Sequence, residues 1–587
     1  MKIDPIEIEI LRNAFGSITD ETFATLTKSA FSTNIKERKD HSTAIVDARG
    51  RLIAQTMASP IHIASMTGLM ATMMARHAGP DGSFPGVEPG DIFIANDPHV
   101  AGGTHLPDVN MATPVFDGGR IRAFVCNIAH HADIGGMAPG SMAGGMKEIF
   151  QEGLRIPLIR LFRAGELQQD VFDLLLLNVR VPDERRGDYN AQIAACNLGA
   201  RRLTDVIGAY GIAKIEAVFD EILIRTEARM RQAVAGLPDG AYRFDDVMDD
   251  DGLGTTNIPI RLQAKVLGDR ICFDFTGTAP QVTGNINVTM NATLASCVYG
   301  LQALVDPDCP NNQGVIDVAE IVAPEGSILN AVFPAPVAAR LHTCQRIVDA
   351  VIGALAPAMP EQAIGASNGA NTTAVFSGTD PRTGQGYVYL ETLGGGLGAR
   401  ATMDGKDGVQ VNLTNTSNLP VEAIEMEYPL LVEEYGLIPD SGGAGRWRGG
   451  LGLRRVVRPV GHDCDFNGAG ERFSNPPWGI FGGRPGGTGG FTVVRADGSA
   501  DGSKEIQATK PSGVTIRPID RVIVETPGAG GYGDPKGRAA EDIERDREAG
   551  KTSGAFVAEH YATGRVADPS PVASPFWGGG RRDRGCN

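Results

Sequence analysis

The run Val109-Asn110-Met111-Ala112-Thr113-Pro114-Val115-Phe116, then Asp117-Gly118-Gly119-Arg120, then Ile121-Arg122-Ala123-Phe124-Val125-Cys126-Asn127-Ile128-Ala129-His130-His131 decides how the first part of the chain folds. Two apolar runs flank a strong turn signal, which is the pattern of a β-hairpin. With a two-residue loop, position 108 pairs near positions 127 to 129. Asp108 and His130 then lie within one or two cross-strand steps, and directly opposed residues are roughly 5 Å apart at Cβ. His105 stands three residues before Asp108, behind Gly102-Gly103, whose backbone freedom lets the loop curl back. Three side chains able to hold a metal therefore converge.

The flanking segments, Asn96 to Asp108 and Asn127 to Gly136, hold four histidines (99, 105, 130, 131) and three aspartates (97, 108, 133). Seven of the ten histidines lie between His41 and His131, so the chemistry is expected in the first quarter of the chain. Histidine with carboxylate suits a mononuclear divalent ion (zinc, manganese or iron) with open positions. The expected ligands are His105, Asp108 and His130, with a carboxylate from elsewhere to complete the set; Asp40 in Glu37-Arg38-Lys39-Asp40-His41-Ser42 is a candidate. The competing structural reading has Asp108 capping a turn and the histidines donating to backbone carbonyls. Neighbouring strand residues face opposite sides, so His131 does not share an ion with His130. His131 and Asp133 are expected as supporting or acid/base groups.

Working outward, Asp4 caps a helix with Pro5 in its first turn and Ile8, Leu11, Phe15 and Ile18 at helical spacing. Thr43 to Gln55 reads as a hairpin, Ile61 to His77 as a helix with a Met-rich core face, and Asp91 to Ala95 as a short buried strand. Leu198 to Ala235 reads as two helices broken near Gly208 and Gly211. Residues 241 to 340 read as strands and turns, Gln345 to Ala356 as a helix, and 380 to 535 as Gly-rich with short strands. Lys536 to about Tyr561 is charged and helical, and Pro569 to Asn587 is expected to be disordered. The expected class is α+β and multidomain: an N-terminal metal-binding α/β region with hairpins (1–237), a mixed middle region (238–380), a Gly-rich β-dominated region (381–536), and a charged helix and tail (537–587).

Composition narrows the partners. The chain has 587 residues, 54 basic against 70 acidic, and a formal charge of −16. It shows no basic stripe for nucleic acid and no apolar run of membrane-spanning length. Eight cysteines form no C-x-x-C pair, and the N-terminus is not a signal peptide, so a cytoplasmic location with reduced thiols is expected. Gly394 to Gly398, Gly482 to Gly487 and Gly528 to Gly533 read as structural turns, since none sits between a clean strand and a helix. Gly550-Lys551-Thr552 imitates the end of a phosphate-binding loop, but Arg545 occupies the position of the required glycine. Asp440 to Gly450, with Arg446, Trp447 and Arg448, reads as a surface turn packed by the tryptophan.

The chain resembles the B subunits of ATP-dependent hydantoinases, the corresponding half of 5-oxoprolinases, and the alpha-type subunits of acetone carboxylases. The resemblance rests on Asn34-Ile35-Lys36-Glu37-Arg38-Lys39-Asp40, Gly102 to Asp108, His130 to Gly136, Glu148-Ile149-Phe150-Gln151-Glu152-Gly153-Leu154-Arg155-Ile156-Pro157, Asn418 to Glu422 and Glu525 to Pro535. It implies a hetero-oligomer. A separate A-type, actin-like ATPase subunit phosphorylates the carbonyl oxygen of the substrate, and the B-type chain completes the reaction at a metal. It places Asp40, His105, Asp108 and His130 at that metal. ATP then belongs to the partner, in keeping with the missing phosphate-binding loop. Three functions follow as expectations: hydrolysis of a cyclic amide such as a hydantoin or 5-oxoproline, carboxylation of a ketone such as acetone or acetophenone, or a non-catalytic scaffold for the ATPase.

Overall fold

In the computed structural model, which describes residues 3–56, 59–497 and 502–561, the hairpin forms as its pattern dictates. Strands Asp108–Asp117 and Arg120–His130 pair antiparallel, and the turn between them is made by Gly118 and Gly119 at φ 58° and 73°. Both turn residues need positive φ, the requirement that glycine meets without strain. The register sets Asp108 directly opposite His130.

This hairpin is the centre of a seven-stranded sheet. Strand His41–Asp47 pairs with the 120–130 strand and with Leu52–Gln55, while Ile92–Ala95 pairs with the 108–117 strand and leads outward to Ile159–Arg163 and Glu166–Leu167. Its two faces alternate residue by residue. Ile45, Val115, Ala123 and Val125 face helices Pro5–Ser29, Pro182–Tyr210 and Ile212–Ala235. Ala44, Val46, Phe124, Cys126 and Ile128 face helix His62–His77, whose Met66, Met70 and Met73 are fully buried. Period-2 strands between period-3.6 helices account for this layering. The first helix is capped as expected, Asp4 accepting from Ile6 N at 2.9 Å.

A second, four-stranded sheet comprises Gly240–Asp250, Thr256–Leu267 and Arg270–Asp274, all antiparallel, with Ala319–Val322 added in parallel. Helices Met290–Val305 and Arg340–Leu355 pack near it; every residue of the latter is buried. One apolar core runs from Ala44 through Met248 and Phe273 to Leu355, so the sheets on either side of Leu237 share an interior. The Gly-rich part forms a four-stranded and a five-stranded sheet around one core that includes Phe376, Phe466, Phe491 and Val524. The fold is α+β, with helices and several antiparallel sheets.

Some elements depart from the sequence reading. The helix expected from Leu198 begins at Pro182, where proline in the first turn followed by Asp183 and Glu184 provides a start signal. The break falls at Gly211 alone, at φ 80°, with Gly208 inside the helix. Helix Met290–Val305 lies within a stretch read as strands and turns. The charged segment after Lys536 carries helices Ala540–Glu548 and Gly554–His560. The tail from Pro569 lies outside the described residues.

The glycine clusters interleave backbone against backbone. A Cβ at Gly449 would lie 1.9 Å from the carbonyl oxygen of Ala529, and one at Gly528 would lie 1.8 Å from that of Ser441. Close approach of main chains explains the glycines there. Arg448, in the turn read as superficial, is buried against Asp407 and Asp546. No disulfide joins the seven described cysteines.

Candidate metal centre

The end of the hairpin and the loop before it build the site. Gly102, at φ 75°, lies so close to Gly68 that a Cβ on Gly68 would be 2.2 Å from the Gly102 carbonyl oxygen. The loop is thus pressed onto helix His62–His77, and His105 and Thr104 turn inward with it. His105, Asp108 and His130 are buried and offer donor atoms all within 4.8 Å of one another. Asp108 Oδ1 lies 3.1 Å from His105 Nε2 and 3.2 Å from His130 Nδ1. Donors each about 2.1 Å from a common ion stand about 3.0–3.4 Å apart, so these spacings suit one ion.

The donor chemistry decides more than the distances. His105 Nδ1 lies 3.0 Å from the Ala338 carbonyl oxygen, which can only accept, so Nδ1 carries the proton. Nε2 then presents a lone pair to a carboxylate oxygen. Protonation does not relieve this contact near neutral pH: burial, and then the nearby Arg340, push His105 down to about 4. His130 Nε2 is also buried without a partner. Two acceptors face each other in the interior, an arrangement that a cation between them satisfies. The residues present therefore fit a divalent ion.

The surroundings hold Asp108 in its charged form. Arg340, at the start of the buried 340–355 helix, donates to Asp108 Oδ2 at 2.6 Å, and Thr104 donates at 3.2 Å. Burial alone would raise this carboxyl, but the positive charge of Arg340 beside it, with hydrogen bonding from His130, holds it well below the usual carboxylate range.

Asp40 stands at the edge of the cluster. Its Oδ2 is 4.0 Å from His130 Nδ1 and its Oδ1 is 3.6 Å from His62 Nε2. The backbone fixes it there, since His130 N donates to the Asp40 carbonyl at 3.0 Å. Sequence reasoning does not single out His62. It lies at the first turn of its helix, its Nδ1 2.8 Å from Ser42 Oγ, and burial lowers its pKa. Arg340 and Glu152 escape that reasoning as well. Glu152 accepts from Val337 N and Ala338 N, both at 2.7 Å, and so fixes the carbonyl that orients His105. Arg340 is 232 residues from Asp108, and no spacing rule could join them. His62 and Glu152 do carry a signal: one belongs to the histidine-rich first quarter, the other to the Gln151-Glu152-Gly153 motif.

His131 and Asp133 lie outside the cluster. His131 faces helix Pro182–Tyr210, with Nε2 3.0 Å from Gln192 Oε1 and its ring 4.6 Å from that of Tyr189. Burial, and then Arg185, push it down to about 4. Asp133 accepts from Arg180 NH1 at 2.8 Å and from the backbone of Arg180, Gly135 and Gly140, which shapes the loop after the hairpin.

The structure therefore defines an α+β chain with a buried His/Asp cluster, spaced to hold a divalent ion, at the end of its first sheet. The chain belongs to the Hydantoinase B/oxoprolinase family, whose model matches residues 4–535. It is 32% identical to the B-type subunit assigned to a D-/L-hydantoinase of Pseudomonas sp. (strain NS671), across 93% of this chain and 92% of that one. It is also 32% identical to 5-oxoprolinase 1 of Arabidopsis thaliana, across 90% of this chain but only 42% of that protein. The ATP-dependent caprolactamase of Pseudomonas jessenii superposes with a TM-score of 0.90 at 29% identity, over 97% of this chain and 98% of that one. Acetone carboxylase shares the fold, with a TM-score of 0.86 at 19% identity over 95% of this chain and 79% of that one. No helix among the described residues is long and apolar enough to cross a membrane.

Proposed function

We propose that this chain is the metal-dependent B-type subunit of an ATP-dependent cyclic amide hydrolase in the cytoplasm, acting on a hydantoin- or lactam-like ring that a separate actin-like ATPase subunit has phosphorylated. The observation that carries the reading is the buried carboxylate of Asp108 set 3.1 Å from the unprotonated Nε2 of His105, with His130 Nδ1 at 3.2 Å and His130 Nε2 left without a partner. His105, Asp108 and His130 would hold the ion, with Asp40 as a further oxygen donor. When bound, zinc, manganese or iron at such a site supplies Lewis acidity, polarising a substrate oxygen and acidifying water.

The chain's own residues supply the rest. A cyclic amide resists water because its nitrogen donates into the carbonyl, and a phosphorylated oxygen makes the ring carbon electrophilic. His62, neutral through burial, can take a proton at Nε2, with Asp40 beside it to stabilise the imidazolium. Arg340 keeps Asp108 anionic. His131 and Asp133 act by fixing the strand end and the following loop. Hydrolysis is favoured over ketone carboxylation by likeness to the hydantoinase and caprolactamase chains at 32% identity.

The test is elemental mass spectrometry on wild type, His105→Ala and His130→Ala, followed by ATP consumption of the complex with lactams or with ketone plus bicarbonate. Metal in wild type but not in the variants, with lactam-dependent ATP use, is expected. Metal in none of them points to the scaffold role, and ketone-dependent ATP use points to the carboxylase.

A further inference from the structure

Arg38 is fully buried, and no carboxylate lies within ion-pair distance of it among the described residues, whereas every other buried arginine described has one. Its NH1 donates to Asn34 Oδ1, and its NH2 donates to Thr392 Oγ1 and, at 3.3 Å, to Thr416 Oγ1. Its Nε has no acceptor. Both threonine oxygens accept from the guanidinium, so each hydroxyl keeps its own proton to give. A buried cation ringed by neutral groups is costly unless an anion joins it.

The position of this charge relates it to the metal centre. Asn34, which holds the guanidinium, donates through Nδ2 to the His130 carbonyl at 2.7 Å. On the other side, the loop carrying Thr416 also forms a wall, at Gln410, Val411 and Thr414, of a cavity of about 620 Å3. Gln410 Nε2 donates to the Thr392 carbonyl at 2.8 Å, tying the second hydroxyl to the same wall. Thr56 and Ser59, just before His62, also line it. Arg38 is thus connected through Thr392 and Thr416 to the wall of a ligand-sized space and through Asn34 to a cluster ligand.

We propose that Arg38, with the hydroxyls of Thr392 and Thr416, is an oxyanion-binding site that receives the charged group of the reactant approaching the His/Asp cluster. A guanidinium fork with two hydroxyl donors suits phosphoryl and carboxylate oxygens alike. The oxyanion is either the phosphoryl group placed on the substrate or a carboxylate borne by its ring. The identity of the reactant rests on the proposed hydrolase reading; the site itself rests on the unpaired charge.

Calorimetric titration of the full-length chain with inorganic phosphate tests it, using wild type, Arg38→Lys and Arg38→Gln, with chloride at matched ionic strength as the control. Binding by wild type, weakened by about tenfold or more in the glutamine variant and less in the lysine variant, is expected. Failure of wild type to bind phosphate, or equal binding by a folded glutamine variant, overturns the site. Should Arg38→Gln not fold, because the side chain also joins the N-terminal and Gly-rich parts, the comparison of wild type with Arg38→Lys decides in the same way.

In the complex with ATP, a lactam bearing a ring carboxylate is then compared with one lacking it. Loss of turnover by Arg38→Lys on both assigns the phosphoryl group, and loss on the first alone assigns the carboxylate. Wild-type kinetics on both overturn the site. Arg38-dependent phosphate binding without any lactam-driven ATP use refutes the hydrolase reading and leaves the site standing. Lactam hydrolysis unaffected by the Arg38 variants does the reverse.

Discussion

Two buried polar clusters in this protein look alike by composition and differ in what they leave unpaired. Near the centre, Asp246, Asp349 and Glu471 meet Arg346, Arg472 and Lys510. Arg472 lies 2.7 Å from Asp349 and 3.1 Å from Asp246, and Arg346 lies 3.0 Å from Glu471. Burial pushes Asp349 upward and Glu471 up to about 7, while the cations pull the other way. Each of these six charges has a partner of opposite sign, Lys510 lying 3.7 Å from Glu471 and also 3.5 Å from Asp250. At the end of the hairpin, only Arg340 offsets Asp108, and the other groups turned toward carboxylates are imidazoles that burial keeps neutral or that lack partners. The lesson is that the quantity of buried charge does not mark a site. A mismatch of donors and acceptors does, because folding leaves a role for a further ion.

The strongest way to break this comparison is to remove a donor. His105→Ala, His130→Ala or Asp108→Asn is expected to take metal from about one equivalent to almost none and ATP-driven turnover to background, measured by elemental analysis and phosphate release. A chelator should lower the melting temperature of wild type, through a loss of up to about 4 kcal/mol of stability if metal is present at a thousandfold over its Kd, and leave His105→Ala unmoved. Equal metal content in wild type and variants would reduce the cluster to ordinary hydrogen bonding.

The complementary change is in the self-paired cluster. Arg472→Met removes the partner of two buried carboxylates and is expected to destabilise by about 3–5 kcal/mol, read by denaturant titration. Metal content should be unchanged. If Arg472→Met emptied the metal centre as fully as a ligand substitution, the two clusters would not be independent.

Much of the site is legible in the sequence because the hairpin is local. Alternating apolar residues around Gly118-Gly119 fix the register, and the register alone puts Asp108 against His130. His105 follows, being three residues from Asp108. What is not legible depends on contacts over long separations. Arg340 reaches Asp108 from the first turn of a helix, and the Ala338 carbonyl reaches His105 from just before it, and the place of that helix against the hairpin is set by the packed interior. The same reason hides Arg38: its isolation from carboxylates is a property of Thr392 and Thr416, more than 350 residues away. The helix Met290–Val305 escapes a sequence reading because a mostly apolar, largely buried helical run shows little periodicity against a buried strand.

Acid sharpens the contrast by a smaller amount. His342, on the buried helix, lies outside the metal cluster and is pushed down to about 3 by burial and then by Lys510. Its folded pKa is depressed, so the unfolded chain takes the proton first, and stability present above pH 6.5 is lost as pH falls toward 3. Linkage puts the loss at about 2 kcal/mol at pH 5. His342→Asn should therefore lose less stability than wild type between pH 7 and 5, with metal content at pH 7 unchanged. An identical pH dependence in the two proteins would mean that the ring is not held neutral by the fold.

The finest distinction concerns how the donor mismatch is maintained. Glu152 accepts the backbone N–H groups of Val337 and Ala338 through one oxygen, and the next peptide carries the Ala338 carbonyl that accepts the hydrogen bond from His105 Nδ1. Burial pushes Glu152 up to about 8, so near neutrality it acts as a neutral acceptor and its charge is not required. Glu152→Gln keeps a carbonyl oxygen for both N–H groups and should hold metal within about threefold of wild type, whereas Glu152→Ala frees the Val337–Ala338 peptide and should weaken metal binding by about tenfold. A glutamine variant as weak as the alanine variant would show that a negative charge behind His105 sets its basicity. In that case the His105 side of the cluster would depend on buried charge in the same way as the self-paired cluster, and the difference between the two would be one of degree.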